Sequence, residues 1–331
     1  PVQHIDDENG EIALCILSAV NLGLIRDKDD LEELCDLSVR ALDEIIDYQE
    51  YPILAAKQSA QSRRSLGIGY IGLAHYLAKN HVAYGDKEAL ELVDETTEAF
   101  QYYLLKASNQ LAIEKGQCEY FEKTKYSDGI LPIDTYKKDI DKIVKRKLSY
   151  DWKQLRKDIQ EHGLRHSTLS AQMPSESSSV VSNATNGIEP PRDYLSVKKS
   201  KKGTLKQIVP DYYRLKNFYT LLWDMPSNEG YINVVATMQK YFDQAISGNW
   251  SYNPQNYKDG EVPISVMAND LLTTYKLGWK TSYYQNTYDA KTDLDEPAHP
   301  VGWHDNQKEM KSREEFESQE DYDDYCEACM I

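Results

Sequence analysis

The contrast between the C-terminal segment and everything before it limits most what this chain can fold into. From Tyr288 to Ile331 there are 14 acidic and 4 basic residues, against 40 and 34 in residues 1–287. The segment includes KSREEFESQEDYDDY and few aliphatic side chains, so it lacks the apolar surface that would offset the entropy of ordering. A folded body over residues 1–287 and a mobile, disordered acidic tail over 288–331 are therefore expected. The body is long enough to form one large domain.

The net charge of −16 argues against a protein that holds nucleic acid by charge. No apolar run of about 18 residues suggests a membrane span. No basic start followed by a short apolar stretch reads as a secretory leader. Pro1 fits either a Met-processed terminus or a cut from a longer chain. The five cysteines, at 15, 35, 118, 326 and 329, are spread irregularly, which is cytosolic usage rather than a disulfide framework. A cytoplasmic location is expected. Nothing recurs at a fixed period, so a solenoid is not expected.

Strands and helices are mixed in the body, which points to an α/β or α+β class. Ile12–Leu17 (IALCIL) is a short continuous apolar run between turn signals, the pattern of a strand buried on both faces. Leu31, Leu34, Cys35, Leu42, Ile45 and Ile46 fall on one helical stripe. Leu90, Val93, Phe100, Leu104, Ala107 and Leu111 form a second, with Gly116 as its stop. Further helices are predicted at 211–224, 230–247 and 263–278, and a β-prone run at 281–286 closes the body.

Several motifs tempt without convincing. Residues 67–72 (GIGYIG) match GxGxxG, but the polar, basic KQSAQSRRS stands where a dinucleotide fold needs an apolar strand. Close helix packing is the preferred reading. Asn183-Ala184-Thr185 and Asn249-Trp250-Ser251 fit the glycosylation sequon, yet without a leader they read as uncharged surface or turns. The histidines show no paired metal spacing, and the CxxC at Cys326 and Cys329 lacks two further ligands nearby, so no metal site is expected.

Three features carry chemistry. Cys15, in the apolar run, reads on composition as a small core hydrophobe, and Cys35 and Cys118 read likewise. Cys326 and Cys329 fall in the expected disordered tail, where a packing role is excluded if nothing is there to pack against, and two thiols at this spacing can close and reopen a disulfide by exchange. Ser170–Ser179 (SAQMPSESSS) brings hydroxyls and a Pro to a possible helix start, which would make an anion site; a Ser-rich loop is the alternative. Tyr283 and Tyr284 are adjacent on a predicted strand, where neighbours point to opposite faces, so contact between their rings would need a local distortion.

Taken together, these stretches resemble the large catalytic (α) subunit of class I ribonucleotide reductase, in its C-terminal half. The resemblance rests on Asp7–Gly23 (DENGEIALCILSAVNLG), Arg63–Gly69 (RRSLGIG), Gln101–Ser108 (QYYLLKAS) and Gly129–Lys138 (GILPIDTYKK). It extends through Met173–Ser178 (MPSESS), Ser182–Arg192 (SNATNGIEPPR), Ser282–Thr287 (SYYQNT) and the terminal CxxC. It implies the second half of a ten-stranded α/β barrel, with the Cys15 strand first. It further implies that Cys15 is one of two thiols that reduce the ribose, and that Ser175, Glu176, Ser177 and Ser178 lie at the substrate diphosphate. Tyr283 and Tyr284 would relay a radical from the small subunit. Cys326 and Cys329 would re-reduce the active site and be reduced in turn by thioredoxin or glutaredoxin. The helix around Pro263–Gly278 resembles part of the groove for the small subunit's C-terminal tail. No cofactor is implied in this chain; a diiron-tyrosyl radical or related metal centre is implied in the small subunit.

Departures from the family pattern shape the expectation. The N-x-C-x-E string of the thiyl-radical cysteine does not occur. By resemblance that cysteine, the second reducing cysteine, the general-base Glu, the first half-barrel and the allosteric regions lie upstream of Pro1. His166 stands where Asn is expected, which implies altered substrate-loop contacts, and the tail carries an extra stretch around Pro297–Trp303. The expectation is a C-terminal part, of a split subunit or excised, that reduces ribonucleoside diphosphates only with the N-terminal part and the small subunit. The alternative is an inactive binding module that competes for the small subunit.

Overall fold

In the computed structural model, which describes residues 2–3, 10–200 and 203–288 (with side chains for 10–197 and 206–288), the backbone is organised around parallel extended segments. The tail and its two cysteines, Cys326 and Cys329, lie outside the described residues. A short antiparallel pair, β1 (Val2–Gln3) and β2 (Glu11–Ile12), precedes the first long strand, β3 (Ile16–Asn21). β3 pairs in parallel with β4 (Leu66–Ile71) over its full length. Ile68 bridges in parallel to Ser170, and Gln172 to Ile246, which leads into β7 (Gly248–Tyr252). β7 in turn pairs in parallel with β8 (Ser282–Thr287). Among the described residues, five extended segments thus follow one another side by side in chain order.

Helices connect them. α1 (Asp29–Tyr48) and α2 (Leu54–Arg63) cross from β3 to β4. α3 (Leu73–Lys79), α4 (Lys87–Lys115), α5 (Pro132–Thr135) and α6 (Trp152–His162) lead to the 168–172 segment. Beyond it come α7 (Glu176–Val181), a hairpin of β5 (Leu195–Ser200) and β6 (Gly203–Ile208), α8 (Tyr212–Leu215) and α9 (Glu229–Gln239). α10 (Ile264–Leu277) joins β7 to β8.

Local sequence accounts for much of this. α1 opens on Asp29, Asp30 and Glu32, which suit the positive end of its dipole. Its Leu31, Cys35, Leu42 and Ile46 are buried as the stripe requires, whereas Leu34 and Ile45 face out and Val39 takes a core place instead. α4 buries both stripe and flanks and stops at Gly116. It packs on α1, α6 and α9, so it is the spine of the core. Tyr70 of β4 meets the rings of Phe100 and Phe242 edge-on at 5.4 and 5.8 Å.

Three expectations are corrected. The apolar run Ile12–Leu17 is not one strand buried on both faces. The strand begins only at Ile16, Cys15 precedes it and is exposed, and Leu14 and Leu17 are 43% and 52% exposed. The reason is position: among the described residues β3 has a strand neighbour on one side only. The strand buried throughout is β4, which contains the first two glycines of the GxGxxG string, so Gly67 and Gly69 serve strand contacts, while Gly72 follows the strand in a left-handed turn (φ +75°) that caps α3. The predicted helix at 211–224 is two short turns, at 212–215 and 222–224, and the one predicted at 230–247 ends at Gln239.

Candidate functional site

Cys15 lies where the chain enters β3. A Cβ on Gly67 would fall 3.2 Å from its sulfur, 2.6 Å from Leu17 Cδ2 and 3.4 Å from Ala171 Cβ. Gly67 thus leaves free a space bordered by the Cys15 sulfur, Leu17 and Ala171, which a side chain there would crowd. Gly69, two residues on, meets the same need: a Cβ there would sit 2.6 Å from the Ala171 carbonyl oxygen. The Gln172 side chain fills that approach, accepting from Tyr70 N–H at 3.1 Å and donating to Tyr70 O at 2.9 Å.

The electrostatics favour a protonated thiol. Burial, and then the charge of Asp243, push Cys15 above its ordinary value. Asp243 is itself raised by burial, although it accepts from Leu169 N–H, Ser170 N–H and the Tyr126 hydroxyl at 2.8, 3.0 and 2.8 Å. These bonds clamp the 168–172 segment to the one that follows. Cys35 and Cys118 are buried, and burial raises both, Cys118 to about 11. Among the described cysteines, Cys15 is the accessible one.

The 168–172 segment turns at Met173 and Pro174 into α7. Ser175, its cap, is buried, and its hydroxyl donates to Met173 O at 3.1 Å. Glu176, Ser177 and Ser178 are exposed in the first turn, where backbone N–H groups have no intrahelical acceptor. The Ser178 hydroxyl donates back to Ser175 O at 3.2 Å.

Tyr283 and Tyr284 are in contact. Their ring centroids are 4.2 Å apart with planes at 61°, an edge-on meeting rather than a parallel stack. The distortion that the sequence called for is a β-bulge. Gly248 pairs with Ser282 and Trp250 with Gln285, so both tyrosines stand opposite the single residue Asn249. Tyr283 is 53% exposed. Hydrogen bonding to Tyr283, then burial, then the charges of Tyr283 and Glu176, raise Tyr284 above its ordinary value. Glu176 is thereby an electrostatic neighbour of the pair.

Sequence reasoning missed three residues at this site. Asn249 was read only as part of a sequon, but it lies within β7 beside the buried Trp250 and is not in a surface turn. Asp243 and Glu189 carried no local signal, because their roles depend on segments far away in the chain. His166 faces a buried ion cluster: its Nδ1 is 2.9 Å from Ser108 Oγ and its Nε2 is 3.1 Å from Asp43 Oδ1. Among the described residues no three His, Cys, Asp or Glu side chains converge so as to hold a metal ion, and no helix is long and apolar enough to cross a membrane.

Comparison with known proteins points one way. Residues 2–215 and 212–285 match the family described as "Ribonucleotide reductase, barrel domain". The chain is 62% identical over 296 residues to the ribonucleoside-diphosphate reductase subunit alpha of Haemophilus influenzae, covering 89% of this chain and 39% of that protein. It is 58% identical over 255 residues to the ribonucleoside-diphosphate reductase 1 subunit alpha of Escherichia coli, covering 77% and 34%. It is 45% identical over 294 residues to the ribonucleoside-diphosphate reductase subunit alpha of Enterobacteria phage T4, covering 88% and 39%. The chain therefore spans less than two-fifths of the length of these relatives.

Proposed function

The chain belongs to the ribonucleotide reductase barrel-domain family, and on that premise we propose that it is the C-terminal part of a catalytic subunit that reduces ribonucleoside diphosphates to deoxyribonucleoside diphosphates. It would act with the portion of its relatives that it does not span and with a radical-generating small subunit. The five parallel segments support its reading as the second half of the ten-stranded barrel.

The observation that carries the proposal is Cys15, the accessible thiol among the described cysteines, beside Gly67 at the mouth of the first strand. In the reaction a thiyl radical from the partner portion removes the ribose 3′ hydrogen. Cys15 and a partner cysteine then supply two electrons as the 2′ hydroxyl leaves as water, and the two sulfurs end as a disulfide. The raised value of Cys15 suits it to hold its proton until that step. The first turn of α7, with Ser175, Glu176, Ser177 and Ser178, takes the diphosphate through backbone N–H groups and hydroxyls. Tyr283 and Tyr284, in ring contact, relay the radical. Cys326 and Cys329 re-reduce the disulfide and exchange with thioredoxin or glutaredoxin.

The test is Cys15→Ser in the assembled enzyme. Reduction is expected to be lost while assembly and small-subunit binding persist; normal turnover would overturn the assignment. Cys326→Ser with Cys329→Ser should spare a single turnover, stop cycling driven by thioredoxin, and leave cycling with a small dithiol intact.

A second reading has one observation in its favour. α10 exposes Ile264, Leu271, Leu272 and Tyr275, an apolar stripe that could take a small-subunit tail whether or not the chain takes part in catalysis. On that reading the chain is an inactive competitor for the small subunit.

A further inference from the structure

The bulge that brings Tyr283 and Tyr284 together faces one residue, and that residue is hydrogen-bonded at each of its polar ends. Asn249 Oδ1 accepts the Tyr284 N–H at 3.0 Å, which fixes the bulged strand at the second tyrosine. Asn249 Nδ2 donates to Glu189 Oε1 at 2.5 Å. Its backbone N–H donates to the Tyr231 hydroxyl at 3.3 Å.

These partners are themselves held. The Tyr84 hydroxyl donates to Ile188 O at 2.7 Å, pinning the residue before Glu189, and Glu189 N–H donates to Asn186 O at 3.2 Å. Tyr231 is buried, 6.3 Å from Tyr84 and 5.8 Å from Trp279 between ring centroids. An amide suits position 249 because one end must accept and the other donate. Leu would do neither. Asp would set a second carboxylate against Glu189.

We propose that Asn249, oriented by Glu189, is the positioning residue that holds the bulge and so keeps the rings of Tyr283 and Tyr284 in contact. The inference rests on the reading of the two tyrosines as the radical relay and adds the device that sets their spacing. Glu176, the other carboxylate near Tyr284, belongs to α7, and its charge and that of Arg192 also bear on Glu189.

The experiment uses the full chain assembled with the complementary portion and the small subunit, with turnover measured against pH and thermal stability as a control. Tyr284→Phe is the reference variant. Asn249→Asp should lose turnover at neutral pH, by about a hundredfold if misplacement of the rings costs what misplaced reacting groups usually do. It should regain turnover as pH falls and the two carboxyls share a proton. The exchanged pair, Asn249→Asp with Glu189→Gln, should restore turnover at neutral pH, because the amide then stands at position 189 and donates to the carboxylate at position 249. A merely structural role predicts neither the recovery at low pH nor rescue by exchange.

If Asn249→Asp turns over normally, or the exchanged pair is no better than Asn249→Asp alone, the inference is wrong while the relay reading stands. If Tyr284→Phe turns over normally, the relay reading fails and the inference falls with it.

Discussion

A thiol that is accessible yet harder to ionise than usual is an unusual combination; partial burial does most to raise Cys15, and two neighbours shape its surroundings. Gly67 leaves room for the sulfur against the strand backbone, and Asp243 places negative charge nearby. Because thiolate is the nucleophile, alkylation of Cys15 at neutral pH should be slower than that of an ordinary exposed thiol. It should rise as pH passes the raised value. Asp243→Asn removes the charge and should speed the reaction a few-fold, as measured by mass mapping of the alkylated peptides. Unchanged rates would mean that Asp243 does not act on the thiol. Cys35 and Cys118 should stay unmodified until the chain unfolds, because both are buried. The residue types at this site were legible in the sequence; their environments were not. Cys15 reads as a core residue from its apolar neighbours, and only the edge position of β3 leaves it uncovered.

Buried charge ties the elements together. Asp43 of α1 accepts from Arg64 Nε at 2.6 Å at the end of α2, and from Arg165 Nε at 3.2 Å. Lys115, at the end of α4, approaches it at 3.3 Å, and His166 at 3.1 Å. Burial raises the Asp43 carboxyl, but hydrogen bonds from His166 and Arg64 outweigh it and hold the carboxyl well below its ordinary value. Burial lowers His166 below 6.5 against the pull of Asp43.

The signs of these two shifts separate their pH windows. As pH falls through the ordinary histidine value, the unfolded chain takes up the proton before the folded one, so stability drops. The contribution of Asp43, a depressed carboxylate, is present above its ordinary value and fades only in more acidic solution. His166→Asn should therefore shrink the fall in Tm between about pH 7.5 and about pH 5.5, while a loss at lower pH persists through the bond from Arg64 to Asp43. An unchanged fall would show that His166 is not the titrating group.

Elements with a strong period were legible: α1, α4, α10 and β8 lie where the pattern puts them. The 211–224 and 230–247 predictions overran because apolar content persists there after the hydrogen-bonded helix has stopped, and periodicity alone cannot mark that end. The bulge was legible only as a requirement of the paired tyrosines; its cause, Asn249, lies on a different strand.

At the scale of the whole molecule, mixed strand and helix signals left α/β and α+β both open, and the long uncommon strings shared with ribonucleotide reductases placed the chain in a family. Exposed apolar surface was harder to foresee, because no sequence pattern says which face lacks a partner. Leu14, Leu17 and Leu24 are 43%, 52% and 69% exposed around β3, and Ile264, Leu271, Leu272 and Tyr275 line α10. Such surface invites association, so the isolated chain should aggregate at high concentration and be protected by its complementary portion. The α10 stripe offers a separate check. Leu271→Asp with Leu272→Asp should weaken binding of the small subunit at least tenfold, about 1.4 kcal/mol or more, in a direct titration, while Cys15 alkylation stays as it was. Undiminished binding would move the docking surface elsewhere.

The most direct test of the central claim is ribonucleoside diphosphate reduction by this chain with the small subunit and thioredoxin, with and without the complementary N-terminal portion. Deoxyribonucleoside diphosphate is expected only in the full mixture, and none when Cys15→Ser replaces the native chain. Product formed without the complementary portion would contradict the claim. So would its absence from the full mixture while the small subunit still binds, and that result would favour the competitor reading.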